Sequence, residues 1–324
     1  MADTKPPLLL FSGSSNPKLA EAVAKALDIS LGRVLVDVFN DGERRIEIHD
    51  SVRGSHCFIL QSPARTDVND HLMELLLMIR TMKRASAREV TVVMPYHPYA
   101  RADRKMRSRT PISASDTALI IEACGADRVL SVDLHCGQIQ GFYTIPVDNL
   151  YASGVFARHF AAMAESFDAP VCVVSPDAGG VARAKIFING LARLGVEASL
   201  ALVVKQRASA GVIAETTLVG SENVAGSIAL VVDDMLDTCG TLCRCTDELL
   251  AAGAVRVYAA ASHGLFSKDA LDKIANSSLV ELIVTDTIPL PEGAPDKIVQ
   301  LSVASLLADA ISCVATGQSV SSLF

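Results

Sequence analysis

Apolar positions along the chain gather into short β-branched runs. Between them lie longer stretches with apolar residues at helical spacing. This alternation is the pattern of parallel sheets covered by helices. In the first half, residues 8–11, 34–39, 57–61, 90–94 and 128–132 read as strands; in the second half, 171–175, 198–204, 228–232, 255–261 and 280–285 do. Helices are expected at about 17–27, 69–84, 113–124 and 152–164, directly after Gly180, and at about 242–252 and 303–314. Asn16 followed by Pro17 marks a helix start, because proline loses nothing at a first helical position. Leu72, Leu75, Leu76 and Ile79 give residues 69–84 one apolar face. The tight turn Asn40-Asp41-Gly42-Glu43 leads into alternating Arg45-Ile46-Glu47-Ile48, a strand pattern.

Residues 123–135 resemble residues 251–263, with Gly125 matching Gly253, Val129 matching Val257 and His135 matching His263. Both segments follow a strand, a loop and a helix. The expectation is an α/β chain of two duplicated units, each a doubly wound, mostly parallel sheet. The units are expected at 1–149 and 150–302, with a helix in 303–324 folding back onto the first. The first half would carry a basic loop where the second carries an acidic, threonine-bearing turn.

That turn holds the densest chemistry. The run 228–232 ends at Asp233 and Asp234 and passes through Asp237-Thr238-Cys239-Gly240-Thr241 into the helix from Leu242. Backbone N–H groups at such a turn, with the positive end of a helix, form an anion site. Thr238 and Thr241 add hydroxyl donors. Asp233 and Asp234 are placed to accept hydrogen bonds from sugar hydroxyls or to hold a metal's waters. A phosphate on one side and a diol on the other describe a phosphorylated pentose. An Asp/Thr cap on a core helix would leave the same trace. Two acids on a buried strand end are costly without a ligand, however, which favours the sugar phosphate.

Residues 96–109 pack two tyrosines and five basic groups, Arg101, Arg104, Lys105, Arg107 and Arg109, into a loop after a strand. This is either a solvated basic loop or, at the carboxyl end of a sheet strand, a binder of nucleotide phosphates. Asp133 and His135 leave the next strand on one side, open to a structural, metal or phosphate role. Asp177 is an acid at a strand end before a glycine-rich turn. Lys205 and Arg207 sit in a small-residue stretch, 205–211, expected to be a mobile loop able to close over a transferring phosphate.

The 324 residues suggest two ordinary domains. A net charge of −7 argues against nucleic-acid or anionic-membrane partners. The eight cysteines show no paired metal-clip spacing, and no apolar run reaches membrane length, so a reduced, cytoplasmic protein is expected. A P-loop signature is absent, which removes one kinase class.

Further segments occur in order: 12–15, 51–54, 69–76, Tyr99-Ala100-Arg101, Asp133-Leu134-His135, Gln138-Ile139-Gln140-Gly141, 146–150, 175–180, 232–241 and 317–324. With them the chain resembles class I ribose-phosphate pyrophosphokinases over essentially its full length. The turn at 237–241 alone is shared with phosphoribosyltransferases. Its combination with Asp133-Leu134-His135, 138–141 and the pair Lys205 and Arg207 is specific to the synthetases. The resemblance implies two units of phosphoribosyltransferase type. It implies transfer of the diphosphoryl group of ATP to the anomeric hydroxyl of ribose 5-phosphate, giving 5-phosphoribosyl 1-diphosphate and AMP. It assigns the ribose 5-phosphate to Asp233, Asp234, Asp237, Thr238, Cys239, Gly240, Thr241 and Arg207. Catalysis would fall to Lys205, Arg207 and His135, and ATP to Phe39, Asp41, Gly42, Glu43, Arg101 and Ala102, partly across subunits. His135 and Asp177 would stand at magnesium. Ser51, Arg53, Arg107, Ser108, Ser319 and Ser321 match a regulatory site for activating inorganic phosphate and inhibitory ADP. The implied assembly is a homohexamer. Ala102, Met106 and Cys136 depart from residues common in the family, Ala102 replacing a glutamine expected to touch ATP. A non-catalytic regulatory subunit of the same family, or a phosphoribosyltransferase, are the alternatives.

Overall fold

The computed structural model describes residues 6–209 and 212–323, and the side chains of 205–216 fall outside the description. The chain divides into two compact units. One runs to Tyr151 and includes Thr287–Pro289 and the chain from Ser302 onward. The other comprises Ala152–Asp286 and Leu290–Leu301.

The first unit is built on β1 (Leu8–Ser12), α1 (Pro17–Ala26), β2 (Val34–Val38), β3 (Arg44–Ile48), β4 (His56–Leu60), α2 (Val68–Arg84), β5 (Glu89–Val93), α3 (Ser113–Ala123), β6 (Arg128–Val132) and β7 (Val147–Leu150). Among the described residues its sheet has the order β1-β4-β5-β6-β7, and every pairing in it is parallel. β2 and β3 form a separate antiparallel ribbon. Asn16 caps α1 by accepting from the Leu19 N–H at 3.3 Å, with Pro17 in the first turn, as the sequence predicts. Leu75, Met78, Ile79 and Met82 of α2 pack with Ile59 and Val92 in one core. Each such buried side chain contributes about 1.5–3 kcal/mol.

Glu74, also on α2, is fully buried. It accepts from the Ser14 N–H at 3.2 Å, the Ser14 hydroxyl at 2.7 Å and Gln61 Nε2 at 2.8 Å. Arg44 at the start of β3 pairs with it at 3.1 Å. A buried carboxylate is tolerated only with such partners, and these tie the ribbon and the β1–α1 loop to α2.

The second unit contains α4 (Ser153–Ala164), β8 (Val171–Ser175), α5 (Val181–Arg193), β9 (Ala198–Ser209), β10 (Val212–Val219), α6 (Ser221–Val224), β11 (Ile228–Leu236), α7 (Gly240–Ala251), β12 (Arg256–Gly264), α8 (Ala270–Asn276), β13 (Glu281–Thr285) and β14 (Ile298–Leu301). Its sheet order is β10-β9-β8-β11-β12-β13-β14, and among the described residues only β10 is antiparallel to its neighbour. After β14, α9 (Ala304–Thr316) belongs to the first unit and packs on α1. Ser62 Oγ there donates to the Thr287 carbonyl at 2.6 Å.

Several expectations need correction. The strand expected at 198–204 does not stop before Lys205. β9 runs to Ser209 and pairs antiparallel with β10, Lys205 opposite Thr216 and Arg207 opposite Ile213. A distant β partner overrides local charge and small size. The run 228–232 also continues, through Asp233 and Asp234 to Leu236, because β12 lies alongside, with Asp233 opposite Ala261 and Met235 opposite His263.

The duplication holds, but its register differs. The sequence match pairs β6 with β12. In sheet order, β1-β4-β5-β6-β7 corresponds to β8-β11-β12-β13-β14, so β5 is the counterpart of β12. The helix-glycine-strand signal is local and recurs, whereas strand order is set by the crossovers. It follows that the turn after β11 corresponds to residues 61–67 after β4, not to the basic loop after β5. The β2–β3 ribbon, following the first helix, corresponds to the β9–β10 arm. Among the described residues, no helix is long and apolar enough to cross a membrane, and the cysteines form no disulfide.

Candidate active site

In the second unit, β8 and β11 are hydrogen-bonded neighbours, so their carboxyl ends lie side by side. β11 delivers two adjacent carboxylates, Asp233 half-buried and Asp234 buried. The Asp234 N–H donates to Asp233 Oδ1 at 2.9 Å. Arg183 Nη1 on α5 lies 3.5 Å from Asp234 Oδ1 and 3.9 Å from Asp233 Oδ1. Burial, then the neighbouring Asp234 charge, holds the Asp233 carboxyl well above the usual carboxylate range. One guanidinium thus faces two neighbouring acids. That imbalance suits a ligand bringing hydroxyl donors or metal-bound waters.

Beyond Leu236 the chain turns through Asp237 and Thr238 to Cys239, whose φ of 56° lies in the left-handed region. Its carbonyl accepts the Cys243 N–H at 3.0 Å, and α7 starts at Gly240. The first N–H groups of α7 have no intrahelical acceptor, and the positive end of the helix favours an anion there. Burial pushes the Cys239 thiol up to about 12, so it stays protonated.

Beside this turn, β8 ends at Ser175, whose hydroxyl donates to the Asp177 carbonyl at 2.7 Å. Asp177 is exposed and accepts the Gly180 N–H on Oδ1 at 3.0 Å. A Cβ on Gly180 would lie 2.7 Å from Ser175 Oγ, so a larger residue there would displace the Ser175 hydroxyl from the Asp177 carbonyl. α5 follows directly and brings Arg183 to the acids. Sequence reading overlooked Arg183. The available signal was a basic residue three positions past Gly180, on the first turn of the helix that the glycine loop opens.

The first unit presents the other expected residues. Phe39, Asp41, Gly42 and Glu43 are exposed at the tip of the ribbon. The tip is closed by Phe39 N–H to the Glu43 carbonyl at 2.8 Å and Glu43 N–H to Asp41 Oδ1 at 3.2 Å. Arg45 stacks its guanidinium 5.8 Å from the Phe39 ring centre. Arg101 is exposed, and the Ala102 carbonyl accepts the Ala114 N–H at 3.2 Å. Asp133 has φ 42° after β6, and His135 is half-buried. Cys136 donates its S–H to Asp103 Oδ2 at 3.2 Å, and burial with that acid pushes the thiol to about 11. Ser51, Arg53, Arg107, Ser108, Ser319 and Ser321 are all exposed, with Arg53 Nη1 donating to Ser86 Oγ at 3.4 Å. The side chains of Lys205 and Arg207 lie outside the described residues. Among those described, no group of three or more His, Cys, Asp or Glu is placed to hold a metal.

The comparisons with known proteins follow this geometry. Residues 8–125 match the N-terminal domain of ribose phosphate pyrophosphokinase, and residues 201–324 match the phosphoribosyl synthetase-associated domain. A ribose-phosphate pyrophosphokinase of Ralstonia nicotianae is 46% identical over 320 residues, 98% of each chain. One from Bacillus caldolyticus is 44% identical over 325 residues, 100% of each. The crystal structure of phosphoribosylpyrophosphate synthetase from Mycobacterium smegmatis superposes with a TM-score of 0.88 at 38% identity, covering 96% of this chain and 99% of that one. The fold is that of an α/β enzyme made of two units of phosphoribosyltransferase type. The chain belongs to the ribose-phosphate pyrophosphokinase family.

Proposed function

We propose that this enzyme carries out the family's reaction with the second unit holding ribose 5-phosphate. The turn Asp237-Thr238-Cys239-Gly240-Thr241 takes the 5-phosphate on main-chain N–H groups, and Asp233 and Asp234 take the ribose hydroxyls. The observation that carries this reading is the adjacent acid pair beside a helix start, within one unit, with the Arg183 guanidinium 3.5 Å from Asp234 and 3.9 Å from Asp233.

The anomeric oxygen of the sugar attacks the β-phosphorus of ATP. The bond from that phosphorus to the α-bridging oxygen breaks, and AMP leaves. Such transfers depend on positioning and charge neutralisation. Lys205 and Arg207, on the β9–β10 arm, are the cations for charge developing on the β-phosphoryl oxygens. Phe39, Asp41, Gly42, Glu43 and Arg101 receive ATP, with Ala102 unable to supply a side-chain hydrogen bond. His135 and Asp177 are the proposed residues near two magnesium sites, one in each unit, where bound magnesium would neutralise phosphate charge. Asp177 fits that ion well. It is exposed, offers hard oxygen, and commits only Oδ1 to Gly180. Magnesium keeps waters and substrate oxygens, so one or two carboxylates suffice.

Inorganic phosphate and ADP as effectors at Ser51, Arg53, Arg107, Ser108, Ser319 and Ser321, a homohexamer and a cytoplasmic location complete the proposal. The test is AMP release from ATP, magnesium and ribose 5-phosphate, with and without added phosphate. AMP formed in step with phosphoribosyl diphosphate is expected; no ribose-dependent AMP would overturn the proposal.

A further inference from the structure

The connection leaving β12 grips the turn between β11 and α7 from one side. The Leu265 and Phe266 N–H groups donate to the Leu236 carbonyl at 2.8 and 3.1 Å, and the Ser267 N–H donates to the Asp237 carbonyl at 3.0 Å. Lys273 Nζ, on α8, donates to the Thr238 carbonyl at 3.4 Å. Two successive carbonyls are thus held by the connection and the third by α8. In a trans peptide the C=O and the following N–H point in opposite directions. The N–H groups of Thr238 and Cys239 are therefore aimed away from the connection and are fixed there.

The connection itself is tightly determined. Phe266 and Lys268 have φ of 49° and 57°, in the left-handed region. A Cβ on Gly264 would lie 2.4 Å from the Phe266 ring, so only glycine admits the bend. Lys273 is held by Asp269 Oδ1 at 2.8 Å, and Cys243 Sγ contacts the Lys273 carbonyl at 3.7 Å. An ammonium has three donors; two are engaged with Asp269 and Thr238. Its charge also acts on the Cys239 and Cys243 thiols, on the turn and in the first turn of α7.

We infer that Lys273 is a positioning residue for the sugar phosphate: it fixes the Thr238 peptide so that the amides of the turn face the anion, and it sets a positive charge behind them. This rests on the turn being the 5-phosphate cradle.

The experiment is steady-state kinetics on the full-length enzyme, with ribose 5-phosphate and ATP varied separately. Lys273→Met keeps the aliphatic stem and removes the charge and the hydrogen bond. Its KM for ribose 5-phosphate should rise about tenfold, the size of one charge-assisted contact. Its KM for ATP should stay within about twofold, and its melting temperature should be little changed, as for a half-exposed surface lysine. Lys273→Arg should restore most of the affinity. An unchanged sugar KM, or both KM values rising together with a lower melting temperature, would overturn the inference. Thr241→Val separates the two layers. If it leaves the sugar KM unchanged, the cradle reading falls, and this inference with it. If it raises that KM while Lys273→Met does not, Lys273 alone is removed.

Discussion

His97 accepts a hydrogen bond on Nε2 from the Tyr143 hydroxyl at 2.8 Å, while its Nδ1–H donates to the Pro98 carbonyl at 2.8 Å. Both ring nitrogens are committed, and the ring is buried. This ties the start of the basic loop to the segment after 138–141. The arrangement requires neutral imidazole, because a proton on Nε2 would face a hydroxyl that is already donating. Burial lowers the His97 pKa to about 4 and raises that of Tyr143 above its ordinary value.

The unfolded chain therefore binds a proton at His97 near pH 6.5, and the folded chain only near 4. Stability from this group is complete above about 6.5 and declines as pH falls toward 4, by up to about 3 kcal/mol. Denaturant melts at pH 7, 5.5 and 4.5 should show that decline, and His97→Gln, which can donate and accept at the same places, should flatten it. An identical pH slope in the variant would exclude His97 as the cause.

Asp233 titrates in the opposite sense. Its folded pKa is raised by burial and by Asp234. The folded state thus holds the proton more tightly, and stability is lost as pH rises through the raised value. Asp233→Asn should melt higher at pH 8, with the gain shrinking toward pH 4, and should bind ribose 5-phosphate poorly. Calorimetry at the two pH values, with and without the sugar, measures both effects. A variant that melts lower at pH 8 would contradict the assignment.

Arg183 offsets the charge of both acids, so its worth depends on them. Arg183→Met should destabilise the parent by about 1–3 kcal/mol, and by clearly less in an Asp233→Asn, Asp234→Asn background. Equal losses in the two backgrounds would mean that Arg183 serves packing alone.

Lys205 is proposed to meet charge that develops only during transfer. Lys205→Ala should lower kcat by roughly a hundredfold or more with KM for either substrate little changed. Single-turnover AMP formation isolates that step, and an unaltered rate would take Lys205 out of the mechanism.

Strand and helix positions were legible because burial leaves a periodic trace, as in the α2 face through Leu75 and Ile79. The turn between β11 and α7 was legible too, since its donors and acids are consecutive. What escaped was non-local. β10 appears only when β9 is beside it, and β11 extends past Val232 only because β12 does. Arg183 reaches the acids from 50 positions away in sequence, and Lys273 reaches Thr238 through a turn whose carbonyls give no sequence signature. The internal match led to the wrong strand pair because similar helix endings recur along any layered α/β chain.

The buried Glu74 marks a place where the two copies of the fold have diverged. In the first unit the loop after the opening strand, at Ser14, already has a resident: a carboxylate tethered to the same polypeptide and held by amide, hydroxyl and guanidinium groups. A dissolved anion would compete there against an intramolecular rival at an effective concentration in the millimolar range or above. The corresponding loop of the second unit, at Asp177, has no such tenant among the described residues. One copy has closed that loop from inside with an acid of its own.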